Sequence, residues 1–166
     1  MLSEEIQLFD LFDEFYLIND EPKIQPVKGK EILKITKREF TFTGTNKKKT
    51  VFVYNDKNQL SDNDTIMLEN LVTKGLKWGM EDIIIINLLQ NESATFNDIK
   101  DFFKPEQIIF WGCDDFLAAN KIPQRLHEVL KGKELKVLTV NEINTYDSTE
   151  QKTILWKSIQ NLLEIK

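Results

Sequence analysis

The sequence predicts an α/β domain of three layers, α/β/α, built on a mainly parallel four-stranded sheet with an N-terminal hairpin strand added. Three observations predict it. From residue 50 the chain alternates between short apolar runs and helical patterns, the rhythm of parallel strands joined by helical crossovers. The runs are apolar on both faces, as in Val51-Phe52-Val53-Tyr54 and the four isoleucines Ile83–Ile86, so these strands need cover on both sides. The stretches between them carry apolar residues along one helical face.

The elements follow in order. Ser3–Leu17 reads as a helix that Ser3 caps, with Glu4 and Glu5 in the first turn, where the helix dipole favours acids. Ile6, Phe9, Phe12 and Tyr16 form an aromatic stripe on it, with Phe15 beside them. Such a stripe serves either as core or as a docking face for another protein. Pro22, Pro26 and Gly29 make Asn19–Gly29 a connector. Glu31–Thr36 and Glu39–Thr43 alternate in polarity, and Gly44-Thr45-Asn46 reads as the turn of a hairpin that returns along Thr50–Tyr54. Lys37, Arg38, Lys47, Lys48 and Lys49 mark its exposed end, where lysines discourage edge-to-edge pairing.

Beyond this hairpin, Ser61 lies three residues before Asp64, an approximate capping box. The helix it opens buries Met67, Leu68, Leu71, Val72 and Leu76, and Trp78-Gly79 ends it. Thr95 caps a short helix, Phe96–Phe103, stopped by Pro105, and Gln107–Trp111 is the next strand. Pro123 and Gly132 bracket an expected helix over Gln124–Lys131. Leu135–Val140 is the last strand. Ser148-Thr149-Glu150-Gln151 opens the final helix, which buries Leu155, Ile159, Leu162 and Leu163.

All 166 residues read as one domain, with 1–21 an acidic amphipathic helix and 22–50 a basic connector and hairpin. Residues 1–21 carry seven acids and no Lys or Arg, and 22–50 carry nine bases against two acids. The two segments either lie side by side and cancel or present two surfaces of opposite sign. No apolar run approaches the roughly 20 residues of a membrane span. The first ten residues carry acids where a signal peptide needs bases, and Cys113 is the single cysteine, so a cytoplasmic protein is expected.

In open α/β sheets, ligands sit beyond the C-terminal ends of the strands. Those ends supply Asn55, Asp56, Gly112, Cys113 and Asp114 as a candidate pocket, with Asn87, Asp115, Asn141 and Glu142 nearby. Asn and Asp at strand ends also serve turns and caps for backbone reasons alone. No G-x-G-x-x-G or G-x-x-x-x-G-K-[ST] loop occurs. Thr41–Asn46 resembles the phosphate loop of flavodoxins, but the lysines and strand that follow it argue a hairpin turn. His127 is the only histidine and is expected mid-helix, so no zinc set is assembled with Cys113. No cofactor, metal or catalytic residue is assigned, and catalytic activity is not expected.

Two stretches carry a family resemblance: VFVYNDKNQLSDNDTIMLENLVTKGL followed by DIIIINL, and LKVLTVNEINTYDSTEQKTILWKSIQNLL. Together they resemble the psi subunit family of bacterial DNA polymerase III. That resemblance implies a fold similar to uracil-DNA glycosylases in a non-catalytic relative. Those enzymes need Gly-Gln-Asp-Pro and His-Pro-Ser elements, whereas His127 is followed here by Glu128 and Val129. It further implies binding to the clamp loader through the N-terminal segment, with Phe9, Phe12, Phe15 and Tyr16 as contacts, and to a chi-type subunit. The alternative is a small α/β enzyme or nucleotide-binding protein using the strand ends near Asp56 and Asp114. A third expectation is a contact with single-stranded nucleic acid through Arg38, Lys47, Lys48 and Lys49 beside Phe40 and Phe42. The net charge of −5 predicts that this contact is weak or absent.

Overall fold

Strand pairing in the computed structural model, which describes residues 39–56 and 60–165, makes one mixed six-stranded sheet. The strands are β1 (Phe42–Thr43), β2 (Thr50–Tyr54), β3 (Ile84–Asn87), β4 (Gln107–Trp111), β5 (Val129–Lys131) and β6 (Lys136–Val140). Their order is β1-β3-β2-β4-β6-β5. The central β3-β2-β4-β6 set is parallel, and the short edge strands β1 and β5 run antiparallel to it. The α/β class stands as expected, while the sheet has six strands rather than four and a hairpin strand. The expected helix 3–17, the connector, the strand 31–36, the partner contacts Phe9, Phe12, Phe15 and Tyr16, and Arg38 lie outside the described residues.

Alternation along the central strands sorts two cores. Val51, Val53, Ile84, Ile86, Ile108 and Phe110 meet α2 (Phe96–Phe103) and α3 (Asp114–Ala119) on one face. Phe52, Ile109, Trp111, Leu138 and Val140 meet α1 (Asp62–Asn70) and α4 (Thr149–Leu163) on the other. The side-chain period of two in a strand produces this division. After Asn70 the α1 helix widens into a π-turn over Leu71–Gly75, which still buries Val72. Ser61, Thr95 and Ser148 cap α1, α2 and α4 by accepting from the amides of Asp64, Asp98 and Gln151, each at 3.2 Å. Thr95 completes a full box, its own amide donating to Asp98 Oδ2 at 2.8 Å.

Two expected elements are corrected. The hairpin between residues 39–43 and 50–54 does not form. β1 pairs with β3, setting Phe42 opposite Ile86, and the chain then passes the start of β3 to reach β2. Two amides hold this passage, Thr45 to the Glu81 carbonyl at 2.7 Å and Lys48 to the Asp82 carbonyl at 2.9 Å. Gly44 sits at φ +104, and a side chain there would run into the Ile83 carbonyl. The physical reason is that β2 already has parallel neighbours on both edges, leaving β1 only the outer edge of β3.

The expected helix over Gln124–Lys131 is also absent. Helix α3 follows β4 directly, and the chain then returns as an edge strand. Leu126 bridges Thr139, His127 turns the chain at φ 64, and β5 pairs antiparallel with β6, Leu130 opposite Val137. Leu126, Val129 and Leu130 have helical spacing, but the open edge of β6 takes the segment as a strand. Tertiary pairing overrides local propensity here.

Candidate functional site

The first strand of the parallel set lies between the second and third, so the sheet switches direction between β2 and β4. Tyr54 and Trp111 end these strands side by side. Beyond them lies a hollow of about 40 Å³, lined by Tyr54, Asn55, Asp56, Asp64, Trp111 and Glu142 among others. That volume suits a water molecule or two, where small-molecule sites run to roughly 300–1,000 Å³. The indole Nε1 of Trp111 is buried there without a hydrogen-bond partner among the described residues.

The structure does not gather the five candidate pocket residues into one cavity. Asn55 and Asp56 line the hollow. Asp56 is tied by its backbone: its amide donates to Asn87 Oδ1 at 3.3 Å, and its carbonyl accepts from Asn87 Nδ2 at 2.9 Å. Gly112 sits at φ +61 under Glu142, whose side chain occupies the space a Cβ would need. Cys113 is buried among the residues facing α2 and α3, its Sγ 3.5 Å from the Val53 carbonyl and 3.4 Å from that of Trp111. Burial pushes its thiol up to about 12, far from a reactive thiolate. Asp114 is exposed in the first turn of α3, and its carbonyl accepts from Gln124 Nε2 at 2.8 Å. Burial raises the Tyr54 phenol, with the Asp56 charge adding to it. Among the described residues no group of three or more His, Cys, Asp or Glu is placed to hold a metal ion.

Parallel strands put all their C-terminal ends at one edge, and charge follows. The segments there carry Asp56, Asp62, Asp64, Glu92, Asp114, Asp115, Glu142, Asp147 and Glu150, against Lys121 and Arg125 in the segment that leads to β5. The opposite edge holds the lysine turn found in the sequence. Lys47 reaches Asp82 at 3.8 Å, Lys48 lies 5.4 Å over the Trp78 ring, and Lys49 reaches Glu106 at 3.5 Å. An acidic strand-end edge repels phosphates, which counts against nucleotide binding near Asp56 and Asp114.

A constellation that sequence reasoning missed centres on His127. The Asn141 amide donates to the Tyr146 hydroxyl at 2.9 Å. That hydroxyl stands 3.3 Å from His127 Nε2, and His127 Nδ1 stands 3.2 Å from Ser158 Oγ. Ser158 donates onward to the Ile154 carbonyl at 2.8 Å. One assignment of protons satisfies every group: Tyr146 donates to Nε2, and Nδ1–H donates to Ser158. The set has the residue types of a nucleophilic dyad, but Ser158 is buried and its proton is committed to the helix backbone. It acts as a clasp joining the β5 segment, the end of β6 and α4. Burial lowers the His127 pKa and keeps the ring neutral, as this chain of donors requires. No spacing signal marks it, because its members are far apart in sequence.

On the face of α1 and α4 an apolar groove of about 420 Å³ runs between the two helices, lined by Ile66, Met67, Leu71 and Leu155 with Asn63, Asn70 and Lys152. Ile66 is 54% exposed, and Ile154, on α4 beside Leu155, is 49% exposed. No helix among the described residues is long and apolar enough to cross a membrane. No protein-family model matches the chain, and no curated protein matches it either.

Proposed function

We propose that this chain is a non-catalytic accessory subunit of the psi kind, bridging the clamp loader and a chi-type subunit of a bacterial replicative DNA polymerase. One observation carries the reading. The two stretches that resemble the psi family fold as β2 with α1 and as β6 with α4, and those two helices frame the apolar groove. Such a groove suits a partner's side chains, since exposed apolar surface at a cleft is a common mark of a protein-docking site. The strand-end hollow, by contrast, is too small for a substrate, and Glu142 in its wall fills the space over Gly112.

The test is capture of both partners from the same cell. The double variant Ile66→Asp with Ile154→Asp should lose the chi-type subunit, weakening it by ~2 kcal/mol or more as buried interface anchors do, and keep the clamp loader. Deletion of residues 1–18 should do the reverse. A chain that captures neither partner in its unaltered form is not a psi-like subunit.

A further inference from the structure

The parallel strands all begin at one edge of the sheet, and a groove of about 930 Å³ runs along it. Lys49 from the turn before β2, Lys100 and Lys104 from the end of α2, and Lys133 and Lys136 from the β5–β6 hairpin line this groove. These lysines are remote in sequence, and only the fold gathers them. Asp101, Glu106 and Glu134 also line it, so five lysines stand against three acids. Glu106 stands 3.5 Å from Lys49, and Glu164, a fourth acid from outside the lining, stands 3.1 Å from Lys136. Both carboxylates are exposed, and exposed pairs of this kind are cheap to exchange for another anion.

Across the end of α2 from the groove, outside its lining, stands a cluster of aromatic rings. Phe102 on α2 and Phe42 on β1 are 42% and 39% exposed, edge to face with centroids 6.0 Å apart. Phe103 packs against both, and Phe40 packs against Phe102 and Phe103. Phe102 lies two residues from both Lys100 and Lys104, so rings and lysines occupy opposite flanks of the end of α2. Asn46 Nδ2 donates to the Phe103 carbonyl at 2.6 Å, which ties the Lys47–Lys49 turn to the same place. Bases in a groove with exposed rings near it are what a single strand requires, phosphates to lysine and unpaired bases to ring faces. Duplex would offer the phosphates but no free base face. The acidic opposite edge leaves this end as the one a polyanion approaches.

We propose that the strand-start edge binds single-stranded nucleic acid, with Lys49, Lys104 and Lys136 meeting the backbone and Phe102 and Phe42 taking bases. This goes beyond the docking reading and does not depend on it. The test is fluorescence anisotropy of a labelled oligothymidine with the full chain. Neutralising about three phosphates predicts a roughly 40-fold loss of affinity between about 25 and about 150 mM salt. Lys49→Glu with Lys104→Glu should weaken low-salt binding about tenfold or more. Phe102→Ala should cost about tenfold on oligothymidine and leave binding to inorganic polyphosphate unchanged. Circular dichroism checks folding, and Lys49→Gln with Lys104→Gln replaces the reversal pair should it not fold. Absence of low-salt binding overturns the proposal, as does affinity that the lysine variants leave unmoved. Oligothymidine affinity untouched by Phe102→Ala overturns it too, leaving a general polyanion surface.

Discussion

At the scale of single residues, the sharpest expectations concern His127 and its neighbours. Tyr146→Phe removes one oxygen and leaves two groups unsatisfied, the Asn141 amide and His127 Nε2. It should destabilise the fold by about 1–3 kcal/mol, read as a lower urea midpoint with an unchanged slope. The pH dependence has a definite sign. Burial lowers the His127 pKa below its ordinary 6.5, so the folded state prefers the neutral ring. Above 6.5 both states are neutral and stability is full. As pH falls below 6.5 the unfolded chain takes up the proton first, and stability declines until the folded value is passed. Urea midpoints at pH 7.5 and 5.5 should therefore differ for the natural chain, and His127→Gln should reduce that difference. The sequence marks His127 as a lone histidine but conceals its role, because Tyr146 and Ser158 reach it only through the fold. Asp56 and Cys113, which strand-end logic selects, are held by backbone bonds and by burial instead.

At the scale of elements, local signals succeed where an element's own residues decide it. β2, β4 and α2 occupy the expected residues, and the caps at Ser61, Thr95 and Ser148 form. Continuous apolar runs and capping hydroxyls are properties of contiguous sequence. The same logic fails at both sheet edges. The Pro123–Gly132 bracket looks helical, yet the open edge of β6 draws the segment into β5. The lysine turn looks like a hairpin, yet β1 crosses to the far side of β3. Gly44 makes that crossing feasible, and Gly44→Ala tests it. The added methyl meets the Ile83 backbone carbonyl at a positive φ, so neither side can yield easily. A loss of about 3 kcal/mol is expected, measured by thermal or urea unfolding. A near-neutral result would mean that β1 does not lie on β3.

At the scale of the whole molecule, the parallel arrangement makes the two ends of the sheet chemically different. Acids collect where strands finish, lysines where they begin, and apolar surface opens between α1 and α4. The capture experiment interrogates the helical face, and the oligonucleotide titration interrogates the lysine edge. The sequence by itself determined the strands of the parallel core, the capped helices and the α/β class. Each of these follows from periodicity and capping within a few contiguous residues. Tertiary structure alone decided which strands are neighbours, that the β6 edge recruits β5, and that distant lysines share a groove. The reason is that pairing depends on which edges remain open after the core has formed, and no local window of sequence contains that information.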